Sequence, residues 1–403
     1  MFKPNRRQIV GGLAAAAGGL AAGPSFAAPV PGAVGDGHAA GYDVAPSGNP
    51  LSLIPRRAGD ALTFTASLDR APLKATSGGW AREITTRSLP IATDLAAAHL
   101  FLNPGGAREM HWHNSAEWAY ILAGQCQVSV LDPDGGFEVA NYAAGDLWYF
   151  PRGHPHAIQS LGTDPLNALL IFDDGLYSEH GTFGVSDWMS RIAPDLLAQS
   201  TGMRAGEMDA MPKGETYIMQ GEVIALDSKQ AAYLRVAPPE QSHRFRLAAA
   251  TPTMSGPGGT MRVASAREFP LSQTLTGVLM ALAAGAVQPP HWHTRSSEML
   301  YVSQGRIRMT MFGADKRMAQ ADLVPGNVAY VPANCAHSLQ NLAAGTSEVV
   351  GTLSGGSYED VQLSDWLTRA PPHLLANNMG VDEAAVPHFT PVERLVARAS
   401  RGG

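Results

Sequence analysis

The sequence has 403 residues, of which 45% are hydrophobic and 16% charged, with 43 glycines and 29 prolines. This length predicts two domains rather than one hydrophobic core, and the glycine and proline content favours short strands joined by turns, an all-β architecture. The formal net charge of −6 is mild. No Lys/Arg run follows the first residues, so the composition argues against nucleic-acid binding and stable membrane association and favours small-molecule chemistry.

The N-terminus has the pattern of an export signal. Arg6 and Arg7 precede an apolar run that ends in the small-x-small sequence Ser25-Phe26-Ala27. We interpret residues 1–27 as a signal peptide of twin-arginine-like type, with flanking residues that match only in part. A membrane anchor is the alternative, but the run is short for a span. Residues 28–50 are predicted to be a flexible lead-in, and the mature protein is expected to be exported, periplasmic or secreted.

The first informative motif is "HWHNSAEWAY" at 111–120. His111 and His113 are two residues apart and therefore point to the same face of a strand, here the inward face. Glu117 is expected to arrive from the next strand and His156 from a neighbouring one. Three imidazoles and one carboxylate predict a site for Mn(II), Fe(II) or Zn(II) that keeps open positions for water or substrate.

The whole pattern recurs in the second half. "HWHTRSSEML" follows at 291–300, "GDLWYFPRGHPH" (145–156) matches "GNVAYVPANCAH" (326–337), and "SDWMSRIAPDLLAQ" (186–199) matches "SDWLTRAPPHLLAN" (364–377). Nearly constant offsets predict a duplicated domain. The second set of metal ligands is His291, His293, Glu298 and His337.

Each repeat is predicted to contain short strands followed by a small helical unit. "CQVSVLD", "LWYFP", "RIRMTMF" and "VAYVP" carry β-branched and aromatic residues in partial alternation. The paired "SDW" segments have a Ser or Asp start and apolar residues at helical spacing. We place the N-terminal domain at 51–235 and the C-terminal domain, with a helical tail, at 236–403.

Other potential ligands receive structural interpretations. Cys126 and Cys335 occupy non-equivalent places in the repeats and are interpreted as small core residues. The remaining histidines, such as His38, His99, His243 and His388, lack ligand partners in the sequence and are interpreted as solvent-facing or packing residues.

The ligand spacing resembles the cupin family. Gly105, His111, His113, Glu117 and Gly124 are spaced like the first cupin motif, and Gly145, Pro151, Gly153 and His156 like the second. In the second half one extra residue separates His293 from Glu298, and Asn334 replaces the glycine. "REMHWHNSAEWAYILAG", "GDLWYFPRGHPHAIQ" and "FDDGLYSEHGTF" resemble the bacterial bicupin oxalate decarboxylases. This resemblance implies two tandem double-stranded β-helix barrels (jelly rolls), each with a short helical unit, and a homo-oligomer.

The resemblance also implies an activity. Oxalate would be decarboxylated to formate and carbon dioxide at the N-terminal site, with one manganese ion in each barrel and dioxygen needed as a co-catalyst but not consumed. Arg108, three residues before His111, would hold the substrate carboxylate, as a guanidinium fork suits that anion. Glu179, in the loop segment "SEHGT", would be the general acid/base that takes a proton from oxalate and returns it to the formyl carbon. His180 and Gly181 depart from the family's usual residues there.

The second site is not expected to be equivalent. Gln288 stands where Arg108 stands in the first repeat, Gly351 stands where the family often has a glutamate, and no counterpart of "SEHGT" follows. A structural metal or an electron reservoir is therefore expected. Trp112 and Trp292 alternate with the ligand histidines and are expected to face away from the metals into packing contacts, although in the family such tryptophans are candidates for electron transfer between subunits.

Two other functions remain open from the sequence. One is an oxalate oxidase or another metal-dependent cupin oxygenase, which would use the same ligands with a different loop. The other is a non-catalytic ligand-binding bicupin, against which the retention of all eight ligands counts.

Overall fold

The computed structural model of the chain describes residues 63–177, 181–313 and 317–397. The predicted signal peptide and lead-in lie outside these residues, and so does Glu179. Among the described helices, none is long and apolar enough to cross a membrane.

Strands dominate both halves of the chain, as the glycine- and proline-rich composition predicts. The strands of the first half are β1 (Thr65–Ser67), β2 (Leu73–Thr76), β3 (Gly79–Ile84), β4 (Ala96–Leu102), β5 (Gly106–His113), β6 (Glu117–Ala123), β7 (Gln125–Leu131), β8 (Phe137–Ala143), β9 (Leu147–Phe150), β10 (His156–Leu161), β11 (Leu166–Phe172), β12 (Thr182–Gly184) and β13 (Ile218–Gln220). Those of the second half are β14 (Arg244–Phe245), β15 (Met254–Gly256), β16 (Gly259–Ala264), β17 (Leu275–Leu282), β18 (Val287–Trp292), β19 (Glu298–Gln304), β20 (Ile307–Phe312), β21 (Met318–Leu323), β22 (Asn327–Val331), β23 (Ala336–Asn341), β24 (Ser347–Ser354) and β25 (Val361–Gln362).

These strands form two pairs of antiparallel sheets with matching order. In the first half the orders are β14-β9-β6-β11-β4-β3-β2 and β12-β5-β10-β7-β8, with β13 also paired to β5. In the second half they are β1-β22-β19-β24-β17-β16-β15 and β21-β20-β23-β18-β25. Apart from β13, each strand of one barrel has its counterpart at the same place in the other, so the predicted pair of jelly-roll barrels is confirmed.

The two barrels exchange their edge strands. β1 precedes the first barrel but pairs with β22 of the second, through Thr65 opposite Ala329. β14 precedes the second barrel but pairs with β9 of the first, through Arg244 opposite Trp148. Each barrel therefore completes one sheet with a strand that comes from the other repeat.

Packing between the barrels follows the same pseudo-symmetry. Tyr149 of β9 hydrogen-bonds through its hydroxyl to Thr274 at 2.9 Å, and Tyr330, its counterpart in β22, donates to Asp94. The buried ring of Trp118 lies against Gly277, where a β-carbon would stand 2.6 Å from the indole Cζ2. One apolar cluster consequently runs from the first barrel into the second.

Short helices follow each barrel, as the paired "SDW" segments predict. They are α1 (Val185–Arg191), α2 (Pro194–Thr201), α3 (Ala205–Asp209), α4 (Leu363–Arg369) and α5 (Pro372–Met379), and single 3-10 turns occur at Leu68–Arg70 and Glu383–Ala385. Proline at the first position starts α2 and α5, because it needs no hydrogen-bonded N–H there. Gly202 and Gly380, at φ +75° and +66°, end them.

Candidate metal centres

The strand register of the first barrel brings its four predicted ligands together. His111 and His113 alternate on β5 and both are buried, and Glu117 is the first residue of the next strand, β6. His156 begins β10 directly opposite His111. One ligand atom from each of the four side chains lies within 4.8 Å of the others.

A second buried group forms in the same way in the other barrel. His291 on β18 is opposite His337 on β23, and His293 follows two residues later. Glu298 begins β19, and its Oε2 lies 3.5 Å from Nε2 of His293 and 3.1 Å from Nε2 of His337. The eight sequence-predicted residues therefore lie in two groups, one in each barrel. In the second group the ligand atoms of the three histidines lie within 4.8 Å of one another, and Glu298 joins them through its contacts with His293 and His337.

All six of these histidines have the same orientation. Nδ1 of each donates to a backbone carbonyl, which leaves Nε2 with its lone pair facing the centre of the group. In the first barrel, Nδ1 donates from His111 to the carbonyl of Glu109, from His113 to that of Ser115 and from His156 to that of His154. In the second barrel, it donates from His291 to the carbonyl of Pro289, from His293 to that of Glu359 and from His337 to that of Cys335.

The inward nitrogens lack satisfactory partners in the protein. Within the described residues, Nε2 of His156, His293 and His337 and Oε2 of Glu298 are buried and make no hydrogen bond. Buried polar atoms normally have partners, because leaving one unsatisfied costs about 1–3 kcal/mol. Neutral imidazoles and carboxylates bonded to one ion at about 2.1 Å would stand about 3 Å apart, close to the separations here. The residues present fit a divalent metal ion in each barrel.

The carboxylates of both groups stay ionised. Burial alone would raise the pKa of Glu117, but the adjacent imidazoles of His113 and His156, with Nε2 3.1 and 3.6 Å from Oε2, outweigh it and hold that pKa well below its usual range. Burial would likewise raise the pKa of Glu298, but the adjacent His293 and His337 lower it, and the net effect is a lowered pKa. Each centre therefore offers a carboxylate rather than a carboxylic acid at neutral pH.

Burial also keeps imidazoles neutral. It lowers the pKa of His111 well below 6.5, and the positive charge of Arg108 adds to that effect. Burial lowers the pKa of His156 and His291 as well. His293 differs: burial alone would lower its pKa, but the neighbouring carboxylate of Glu298, 3.5 Å from Nε2, raises that pKa overall. Neutral imidazole is the form that binds a metal.

Trp148 orients the carboxylate of the first group. Its indole Nε1 donates to Oε1 of Glu117 at 2.7 Å, while Oε2 of Glu117 lies 3.1 Å from Nε2 of His113 and 3.6 Å from Nε2 of His156. The residue equivalent to Trp148 in the second barrel is Ala329. Sequence reasoning treated Trp148 only as a strand residue and missed this contact.

Arg108 faces a small cavity beside the first group. The cavity has a volume of about 30 Å³, and its lining includes Arg108, His111, Glu117, Tyr177 and Tyr217. Arg108 itself is only 6% exposed. The guanidinium therefore lines the same cavity as two of the predicted metal ligands.

Tyr217 and Glu109 hold Arg108 in place, and neither was predicted. Nη1 of Arg108 donates to the carbonyl of Tyr217 at 2.9 Å, and the guanidinium lies 4.3 Å above the tyrosine ring. Glu109 Oε1 accepts from the backbone N–H of Tyr217 at 2.8 Å and lies 4.0 Å from Arg108. Ser186, next to the start of α1, also donates to Glu109. These contacts fix the guanidinium before any anion binds.

The second group has different surroundings, as the sequence predicts. Gln288, in the place of Arg108, is 4% exposed and has its Nε2 3.3 Å from Nε2 of His291. Gly351 lies beside Glu298, where a β-carbon would stand 3.2 Å from Oε1. A neutral amide, not a guanidinium, thus borders the second group.

The tryptophans between the ligand histidines face outward into packing contacts. Trp112 stacks on Phe183 with ring centroids 5.4 Å apart and meets Trp188 of α1 edge-on. Trp292 meets Trp366 of α4 in the same manner, at 6.0 Å. The packing interpretation of Trp112 and Trp292 is confirmed for these contacts.

One histidine was interpreted wrongly. His243 is 1% exposed and lies between two carboxylates, with Nδ1 2.9 Å from Glu138 and Nε2 3.2 Å from Asp132. The sequence gave no indication of this, because Glu138 is 105 residues away. His99, by contrast, is a packing residue that contacts Asn167, His388 is exposed, and Cys126 and Cys335 are both buried.

Comparison with known proteins identifies the family. A model described as cupin matches the chain twice, at residues 67–209 and 245–386, which together exceed half of its length. The chain belongs to the cupin family. This bicupin is 33% identical to the oxalate decarboxylase of Bacillus subtilis (strain 168) over 80% of its own length and 84% of that protein's. It is 32% identical to a probable oxalate decarboxylase of Arthroderma benhamiae, over 75% of each chain.

A solved structure agrees with these sequence matches. One structure of the Bacillus subtilis oxalate decarboxylase, from work on its Mn(II) centres, superposes with a TM-score of 0.75 and 30% identity, covering 87% of this chain and 93% of that one. The resemblance to the bicupin oxalate decarboxylases is therefore confirmed, and the protein is a lyase of that group.

Proposed function

We propose that this bicupin decarboxylates oxalate to formate and carbon dioxide in its N-terminal barrel, with manganese as the metal and dioxygen as a co-catalyst that is not consumed. The observation that carries the proposal is the cavity that Arg108 lines together with His111 and Glu117. We infer oxalate as the substrate from the oxalate decarboxylases named above, and manganese as the metal from the Mn(II) centres named for the Bacillus structure.

The donor set of each barrel suits a manganese ion. His111, His113, Glu117 and His156 would hold the first ion and His291, His293, Glu298 and His337 the second, each through three imidazole nitrogens and one carboxylate oxygen. When bound, such an ion supplies a Lewis acid for a carboxylate and a redox centre. Four protein ligands would leave further coordination positions of such an ion for substrate or water.

Arg108 would bind and orient the substrate. A buried guanidinium beside neutral imidazoles attracts a small dicarboxylate, and its planar donors match a carboxylate in two-point geometry. One nitrogen is already engaged by the Tyr217 carbonyl, so the remaining donors are available in a fixed direction. Tyr177 closes another side of the cavity, and burial raises the pKa of its hydroxyl, which therefore stays protonated.

Glu179 would be the general acid/base. We assign it from the sequence alone, since it lies outside the described residues. It would accept a proton from bound oxalate and, once carbon dioxide has left, return that proton to carbon to give formate.

The C-terminal barrel would not be a second catalytic site. Gln288 provides no positive charge at the position of Arg108, and its amide lies within 3.3 Å of His291. A metal there would join three strands, β18, β19 and β23, and so stabilise the barrel. We extend the proposal to export: residues 1–27 would direct the chain out of the cytoplasm, and a twin-arginine route would carry the protein folded, with its metals already bound.

Product analysis tests this function. The mature protein, purified with manganese, is supplied with oxalate under air, and formate, peroxide and carbon dioxide are counted. Formate and carbon dioxide in equal amounts, with little peroxide, support decarboxylation. Stoichiometric peroxide without formate would show an oxalate oxidase instead, and no turnover would favour a non-catalytic bicupin.

A further inference from the structure

A third group of metal-ligating side chains lies outside both cupin centres. Asp132 in the β7–β8 turn, His154 in the β9–β10 loop and His243 just before β14 present ligand atoms that lie within 4.8 Å of one another. Oδ1 of Asp132 is 3.5 Å from Nε2 of His154 and 3.2 Å from Nε2 of His243. Three separate segments of the chain meet at this point.

Both histidines are oriented as metal ligands are. Nδ1 of His243 donates to the buried carboxylate of Glu138 at 2.9 Å, and Nδ1 of His154 donates to the carbonyl of Arg152 at 3.3 Å. The lone pairs are therefore on the two Nε2 atoms, which face Asp132. A carboxylate behind the imidazole, as Glu138 stands behind His243, is a common support for a zinc ligand because it fixes the ring and increases its basicity.

The Nε2 atom of His243, which faces Asp132, is not used in a hydrogen bond among the described residues. It is fully buried, and Asp132 is only 3.2 Å away. Ligand atoms around a tetrahedral ion with bonds of about 2.0–2.1 Å stand about 3.3 Å apart. The separations of 3.2 and 3.5 Å match that spacing better than they match a hydrogen-bonded network.

Charge and access favour an ion here as well. With both imidazoles in the neutral form that binds a metal, the carboxylates of Asp132 and Glu138 give a combined charge of −2, which a divalent cation balances. The side chains of Asp132 and His154 are 28% and 14% exposed, so an ion can enter from solvent on that side.

We propose that Asp132, His154 and His243 form a third metal site, which binds a divalent ion of the zinc type in tetrahedral geometry with water as the fourth ligand. Two imidazoles and one carboxylate are a donor set that zinc commonly takes. The ion would join the inter-barrel connection, through His243, to the loop that carries His154 and leads into β10, which begins at His156. Its role would be structural, and it is independent of the decarboxylase activity proposed above.

Metal counting on the full-length protein tests the site. The manganese-loaded protein is equilibrated with low-micromolar Zn(II), freed of unbound metal, and its total manganese plus zinc is measured per chain. We expect three ions in the wild type and two in both Asp132→Asn and His154→Gln. The matched control Asp134→Asn changes the neighbouring acid of the same turn and should retain three. Two ions in the wild type, or three in both site variants, would overturn the proposal.

Anomalous diffraction at the zinc edge gives a second readout that does not depend on any variant. Crystals of the wild type grown with the same low-micromolar Zn(II) should show a peak bonded to Oδ1 of Asp132 and Nε2 of His154 and His243. Absence of a peak there, with peaks at the cupin centres, would overturn the proposal.

Discussion

Arg108→Gln is the sharpest test of where the chemistry takes place, because it gives the first centre the residue that the second centre has naturally in Gln288. The substitution removes the positive charge and the planar donors while a polar side chain remains. Loss of one or two charge-assisted hydrogen bonds to a carboxylate costs about 2–4 kcal/mol. That corresponds to a fall in kcat/KM of roughly 30- to 1000-fold.

The fold should tolerate this change. Arg108 gives up one hydrogen bond and one ring contact with Tyr217, about 1–2 kcal/mol in stability. Glu109 does not become an unpaired buried charge, because the Tyr217 N–H and Ser186 still donate to it. The variant should therefore remain folded and retain both metals.

The assay is steady-state formate production over a range of oxalate concentrations, with manganese measured in every preparation. Arg108→Lys, which retains the charge but loses the planar fork, should fall between the wild type and Arg108→Gln. Arg191→Gln is the control, since that arginine is 75% exposed on α1, and it should leave kcat/KM unchanged. A decrease below about threefold in Arg108→Gln at full manganese content would refute the assignment of Arg108.

Four further outcomes are expected. Glu179→Gln should abolish formate production while manganese content stays normal, and wild-type rates in this variant would remove Glu179 from the mechanism. Trp148→Phe should weaken manganese binding in the first barrel by roughly 10- to 100-fold, because Glu117 loses its supporting N–H, and metal titration should leave the second barrel, with Ala329 there, unaffected. His291→Ala should lower the melting temperature as well as activity; normal stability with abolished turnover would show a catalytic second site. In metal-free protein, burial lowers the folded-state pKa of His111, His156 and His291 below 6.5, so near and below that pH the unfolded chain binds more protons at these three positions. His293, whose pKa is raised, acts in the opposite direction but is a single residue against three. The free energy of unfolding should therefore fall as pH drops from about 7 to 5.5, by up to about 1.4 kcal/mol per pH unit for each of the three histidines. A denaturation midpoint that stays constant over this range would contradict this expectation.

The metal centres could be predicted from the sequence because their geometry is local to strands. Alternation alone places His111 and His113 on one face, and the duplication supplies an independent copy of the same pattern. Glu117 and His156 could be assigned to the same site because each was expected to lie on a strand next to the one that carries His111 and His113. The structure then adds register, which sets His156 opposite His111.

The supporting residues could not be predicted in that way. Tyr217 reaches Arg108 across 109 positions, and His243 reaches Glu138 across 105. Neither pair has a spacing or motif that marks it. Tyr217 also adopts a left-handed backbone at φ +58°, which a non-glycine residue rarely does and which its sequence context does not indicate. Such contacts arise from the way the connection after α3 returns across β5, and only the folded chain specifies that path.

The exchange of β1 and β14 has a consequence for how the protein assembles. A chain cut between the repeats would yield two fragments, each lacking one edge strand. The N-terminal fragment would carry β1, which pairs with the second barrel, and the C-terminal fragment would carry β14, which pairs with the first. Each fragment would present an unpaired sheet edge to solvent, and that edge is a template on which the other fragment can pair, in the manner of a strand-swapped dimer. Covalent linkage of the repeats makes that association intramolecular and therefore independent of protein concentration.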